Sequence, residues 1–240
     1  LFSGNTNDLD GDSNETGTDT MKPKILPTLD HERSLGAPEF VVAGVDEVGR
    51  GCLAGPVVAG AVILPRSFYE SQVLPAELRE VRDSKLLSPE KRERLAPWIR
   101  EHVAAWAIGE ASVQEIDQLN IYHASHLAMV RAVQGLKHKP ALALIDGNAL
   151  PKGLAPLGVR GQTLVKGDMK SLSIACASIL AKVHRDALLD EYESRYPGYG
   201  FGAHKGYSTP GHQRALQALG AIEVHRRSFG PVAQVLVARS

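Results

Sequence analysis

The sequence predicts an α/β fold, a mixed β-sheet flanked by helices, and three observations carry that expectation. Short apolar runs of strand length alternate with segments of helical periodicity, turn residues separate them, and several of the runs end on or beside acids. The chain has 240 residues, 43% of them hydrophobic, enough to bury a core as one domain or one domain with a small appendage.

Residues 1–36 are rich in Asp, Asn, Gly, Ser and Thr, with Asp8, Asp10, Asp12, Glu15 and Asp19 ahead of the first base, Lys22. Such a segment cannot offset its ordering entropy and is expected to be a disordered acidic leader. Order is expected from Phe40, where the run through Asp46 reads as a buried strand, followed by the turn Gly49-Arg50-Gly51 and a second strand from Val57 to Leu64. Asp83-Ser84-Lys85 lies in the next connection. Ser88-Pro89 supplies an N-cap and a proline at the first helical position, opening a charged helix to about Arg100.

Residues 103–110 read as a third strand and Ser112 to Leu136 as one amphipathic helix. Ala141 to Asp146 is a short apolar strand broken by Gly147-Asn148. After a loop holding Pro151, Gly153, Pro156, Gly158 and Gly161, Thr163 to Val165 reads as one more strand before Lys166-Gly167-Asp168. Ile174, Ala177, Ser178, Ala181 and Lys182 recur at helical spacing, predicting a helix over about 170–195 that Tyr196-Pro197-Gly198 stops. From Pro197 onward a loop, a helix near 210–219 and a final stretch predict a small helical cap.

Lys and Arg together number 27, as do Asp and Glu, so with the leader set aside the remainder is mildly positive, which permits nucleic acid without implying it. Cys52 and Cys176 form no C-x-x-C pair and the spacing of His204, His212 and His225 matches no zinc pattern, so neither a disulfide framework nor a zinc site is expected. No stretch has the length of a membrane span, and a cytoplasmic protein is expected.

The chemistry rests on four acids. Asp46 and Glu47 close the first strand, Asp146 closes another, and Asp168 precedes the long helix. Open α/β sheets bind ligands at such strand ends, and oxygen donors without thiolates suit Mg²⁺ or Mn²⁺. An acid after a strand is also an ordinary turn former or N-cap, and Asp168 before a helix fits that role. Adjacent Asp46 and Glu47 at the end of a buried run fit it less well.

Six motifs stand in one order: Gly44-Val-Asp-Glu-Val-Gly-Arg-Gly51 with Cys-Leu-Ala-Gly-Pro56; Asp83-Ser-Lys85; Ile145-Asp-Gly-Asn148; Lys166-Gly-Asp168; Ser173 to Asp186; and Gly200-Phe-Gly-Ala-His-Lys-Gly-Tyr-Ser-Thr209. Together they resemble bacterial ribonuclease HII. The resemblance implies a ribonuclease H-like fold, with a catalytic domain over 37–196 and a C-terminal helical and loop segment, 197–240, completing the substrate cleft. It implies an endonuclease that hydrolyses the RNA strand of RNA–DNA hybrids and cuts 5′ of single ribonucleotides in duplex DNA, as in ribonucleotide removal during replication and repair. It carries the family's metal ligands onto Asp46, Glu47, Asp146 and Asp168.

Two divalent ions, Mn²⁺ or Mg²⁺, are then expected to assist phosphodiester hydrolysis, leaving a 5′-phosphate and a 3′-hydroxyl. The resemblance makes Gly49, Arg50 and Gly51 the turn that reads the 2′-hydroxyl through its backbone, and Tyr207 the aromatic beside the sugar. Lys85, Lys182, Arg185 and Lys205 are expected to contact phosphates, although a solvated helix face explains Lys182 and Arg185 nearly as well. Hybrid and ribonucleotide-containing duplexes are the expected partners of a monomer. A long-hybrid nuclease of the same superfold and a non-catalytic hybrid-binding module are the competing readings.

Overall fold

The computed structural model describes residues 26–239. A short helix, α1 (Asp30–Ser34), precedes an antiparallel meander of β1 (Val42–Val48), β2 (Val57–Ile63) and β3 (Ala105–Ala111). Helices α2 (Arg66–Glu70) and α3 (Pro89–His102) connect β2 to β3. Helices α4 (Val113–Leu119) and α5 (Ile121–Gln134) lead to β4 (Leu142–Asp146), and β5 (Arg160–Leu164) follows. The long helix α6 (Leu172–Arg195) is succeeded by α7 (Phe201–His204), α8 (Pro210–Leu219) and α9 (Gly230–Ala238). The sheet order is β3-β2-β1-β4-β5, with β1, β4 and β5 mutually parallel. A mixed sheet flanked by helices is thus the observed architecture, as the alternating pattern predicts.

Period-two alternation sorts the strand residues onto two faces. Ala43, Val45, Ala59, Ala61, Ala143 and Ile145 pack against α5, whereas Val42, Val62, Leu142 and Leu144 face α6. Helix α6 lies directly on the backbone there: a Cβ on Gly44 would fall 2.3 Å from the Ile174 nitrogen, and one on Gly60 would fall 2.4 Å from the Ala177 oxygen. These glycines are required by that close approach, which brings the α6 side chains down to the floor of the sheet.

Four expectations are corrected. Ordered structure begins well before Phe40, because Leu29 is buried and the buried Glu32 accepts hydrogen bonds from the Ser171 hydroxyl and from the Ser173 amide and hydroxyl, capping α6. The leader reading therefore fails for 26–36, and its remainder, 1–25, lies outside the described residues. The helix expected from Ser112 to Leu136 is two helices, since Asn120 takes φ +67° and its Oδ1 caps the amides of Tyr122 and His123. The first strand runs two residues further than expected, to Val48. The last strand is Arg160–Leu164 and not residues 163–165, because its residues pair with the whole of β4.

Candidate active site

The site is built by the parallel pairing of β1 and β4. Val45 lies opposite Ile145, so Asp46 and Asp146 follow side by side on the face covered by α6. Strand β5, paired to β4 as far as Asp146 and Leu164, leads into a 3₁₀ turn, Gly167–Met169, that returns Asp168 to the same edge. The Gly167 amide donates to Asp146 Oδ1 at 2.6 Å, locking that turn to the strand end. Asp46 Oδ1 accepts from the Glu47 amide at 2.8 Å. Glu47, one residue on, leaves β1 toward the opposite face, where Arg50 Nη1 stands 3.1 Å from its Oε1.

The carboxyls raise one another's proton affinity. Burial pushes Asp46 well above the usual carboxylate range, the charges of Glu47 and Asp146 push it further, and the Ser178 hydroxyl partly opposes them. Burial also raises Glu47 against the pull of Arg50. Asp168 is raised to about 6 by burial, with Asp83 and Asp146 adding to it. Buried, mutually repelling carboxylates without sulfur donors form a set whose strain a hard divalent cation would relieve. As the side chains lie, no three His, Cys, Asp or Glu side chains among the described residues stand ready to hold a metal ion. Glu47 projects from the other face of β1, and the four carboxyls do not converge on one point.

The basic residues divide into two groups. Lys85 is exposed; partial burial lowers it, but the charges of Asp83, Asp46 and Asp168 outweigh that and hold it above its ordinary value. Lys182 bonds Asp186 at 2.6 Å while its Nζ sits 5.9 Å from the centre of the Tyr207 ring, and Lys205 is bonded to Asp190. Arg185 is corrected outright: it is 0% exposed and spends its guanidinium on backbone carbonyls, so it cannot reach a phosphate. Neither the phosphate contact nor the solvated helix face holds, because the carbonyls of Ala54, Pro56 and Lys205 close over it.

Tyr207 is half-exposed and its backbone pairs with Cys52, the residue after the glycine turn. Turn and tyrosine are thereby neighbours although more than 150 residues apart in sequence. Gly49 has φ +91°, and a Cβ there would fall 2.2 Å from Arg185 Nε. Around Gly51 no atom lies within 4 Å of an added Cβ. Two contributors escaped the sequence reading. Ser178 shares the α6 face that carries Ile174 and Lys182, a signal present in the helical spacing; Arg226, which donates to the Gly49 and Arg50 carbonyls, lies outside the six motifs.

Residues 43–232 match the sequence profile of the family described as Ribonuclease HII. The chain is 50% identical over 205 residues to "Ribonuclease HII" of Paracoccus denitrificans, covering 85% of this chain and 92% of that protein. It is 52% identical to "Ribonuclease HII" of Albidiferax ferrireducens, covering 82% and 89%. Its fold is similar to that of ribonuclease H2 from Pyrococcus horikoshii OT3, with a TM-score of 0.67, 27% identity and coverage of 82% of this chain and 97% of that one. With the acids at one sheet edge and the motifs matched along four-fifths of its length, the chain belongs to the ribonuclease HII family, endoribonucleases that hydrolyse the RNA strand of RNA–DNA hybrids.

Proposed function

We propose that the enzyme also incises duplex DNA on the 5′ side of a single embedded ribonucleotide, leaving a 5′-phosphate and a 3′-hydroxyl. The observation that carries this reading is the backbone bridge between Cys52 and Tyr207, which joins the Gly49 to Gly51 turn to an aromatic side chain. A turn that approaches a sugar through its backbone and a ring lying against that sugar suit recognition of one 2′-hydroxyl, with no need for a run of RNA. Asp46, Glu47, Asp146 and Asp168 would hold two divalent ions, Mg²⁺ or Mn²⁺. When bound, these ions supply Lewis-acid activation of water and neutralise charge on the departing 3′ oxygen.

The chain's own residues do the rest. Asp146 and Asp168 are steadied by the Gly167 turn, Ser178 orients Asp46, and Lys85 meets a phosphate of the bound strand. Lys182 lies beneath the Tyr207 ring, and its bond to Asp186 keeps it there. In the cell this activity fits removal of ribonucleotides from replicated DNA, by a monomer in the cytoplasm.

The test is a cleavage assay on a duplex carrying one ribonucleotide, beside an all-DNA duplex and a long hybrid, with Mg²⁺, Mn²⁺ or EDTA. Cutting 5′ of the lone ribonucleotide with metal alone is the expected result. Cutting confined to the long hybrid would refute the single-ribonucleotide reading, and no cutting at all would favour a binding module. Asp146→Asn is expected to lose cleavage by several orders of magnitude while retaining hybrid binding. Tyr207→Ala is expected to lose more activity at the lone ribonucleotide than stability.

A further inference from the structure

Two arginines lie wholly buried beneath the glycine turn, and neither has a carboxylate within ion-pair distance among the described residues. Arg226 donates from Nη2 to the Gly49 carbonyl at 2.7 Å, from Nη1 to the Arg50 carbonyl at 2.8 Å, and from Nε to the Gly55 carbonyl at 2.9 Å. Its Nη2 also reaches the Pro56 carbonyl, which accepts from Arg185 Nε as well. Arg185 Nη1 then donates to the Lys205 carbonyl, two residues before Tyr207. A continuous set of charge-assisted hydrogen bonds therefore runs from the turn to the tyrosine loop.

Arg226 is itself held from three sides. Its amide donates to the Leu53 carbonyl, Phe229 lies over its guanidinium at 5.1 Å, and Asp117 of α4 accepts from the amides of Arg227 and Ser228. So much anchoring of a buried cation exceeds what closing a loop requires. The acceptors explain it. In a trans peptide the carbonyl and the following N–H point in opposite directions. Drawing the Gly49 and Arg50 carbonyls inward therefore turns the amides of Arg50 and Gly51 outward, side by side. Neither amide has a protein acceptor among the described residues. Successive N–H groups on one side form a concavity for a single oxygen.

We propose that Arg226 is the positioning residue for ribonucleotide recognition: by holding two consecutive carbonyls it aims the Arg50 and Gly51 amides at the 2′ oxygen of the ribose. This inference rests on the single-ribonucleotide reading above. Lysine in its place keeps the charge but has no planar fork and cannot hold three separate carbonyls at once.

The test compares affinities for duplexes of one sequence carrying one ribonucleotide or none, in an Asp146→Asn background so that nothing is cut. Adding Arg226→Lys is expected to reduce the ratio of the two affinities about ten-fold, the size of one lost hydrogen bond to the substrate. A purely structural arginine would lower the melting midpoint, or both affinities together, and leave the ratio unchanged, which would overturn the proposal. Should Arg226→Lys fail to fold, amide resonances of the protein with its native arginine decide the matter. Those of Arg50 and Gly51 are expected to shift with the ribonucleotide duplex and not with the all-DNA duplex; no shift, or an equal shift with both, refutes the proposal. If the Asp146→Asn protein binds both duplexes equally, the single-ribonucleotide reading itself has failed. Retained discrimination in Arg226→Lys would defeat only the role of Arg226.

Discussion

At the residue scale the two glycines of the turn have different tasks. Gly49 combines φ +91° with direct contact to the buried Arg185, so Gly49→Ala meets both backbone strain and a steric clash. It is expected to cost about 1–3 kcal/mol of stability, read from denaturant melts, together with activity. Gly51 has open space where a Cβ would stand, and on the proposed reading the substrate is what a methyl there would meet. Gly51→Ala should keep its stability within about 0.5 kcal/mol and still lose incision at a lone ribonucleotide. Wild-type incision by a well-folded Gly51→Ala would remove the turn from the substrate interface.

At the scale of elements, the segment from α7 to the loop after α8 is pinned by a histidine pair. The Ile222 amide donates to His225 Nδ1, which leaves the proton on His225 Nε2 to be shared with His212 Nε2 at 3.1 Å. His212 Nδ1 in turn donates to the Tyr207 carbonyl at 2.9 Å. Burial holds His225 down at about 4, helped by His212, and burial also lowers His212. Between an ordinary histidine value of about 6.5 and this depressed one, the unfolded chain binds more protons than the folded one. Stability is therefore lost as pH falls through that window. The melting midpoint should drop more steeply from about pH 7 to about pH 5 in the native protein than in His225→Gln. Equal slopes would show that the pair does not titrate with folding.

For the whole molecule, the proposed metal site sets activity against stability. Asp46, Glu47 and Asp168 are each held protonation-prone by burial, and neighbouring carboxylates add to the strain. A divalent ion that binds only the folded state stabilises it by mass action, about 2.7 kcal/mol at a hundred times the dissociation constant. Mg²⁺ or Mn²⁺ should raise the melting midpoint of the native protein and have little effect on Asp46→Asn. In EDTA the order should reverse, with Asp46→Asn melting above the native protein because a buried repulsion is gone. An unchanged midpoint on adding either ion would argue against metal binding at these acids.

The sequence by itself determined the alternation of strands and helices, the position of the acids at strand ends and the order of six motifs, because each depends on neighbours a few residues apart. Periodicity, caps and turn preferences are local quantities, and they placed α3, α6 and β4 within a few residues of where they lie. Only the tertiary structure decided what depends on distant pairing. Glu32 is a surface acid in any local reading, yet it caps a helix some 140 residues away. Arg185 suits solvent or a phosphate in a local reading, yet it is a buried clamp on the carbonyls of Ala54, Pro56 and Lys205. Arg226 carries no local signal at all, since its partners are backbone carbonyls some 170 residues earlier in the chain, and carbonyls look alike in every sequence.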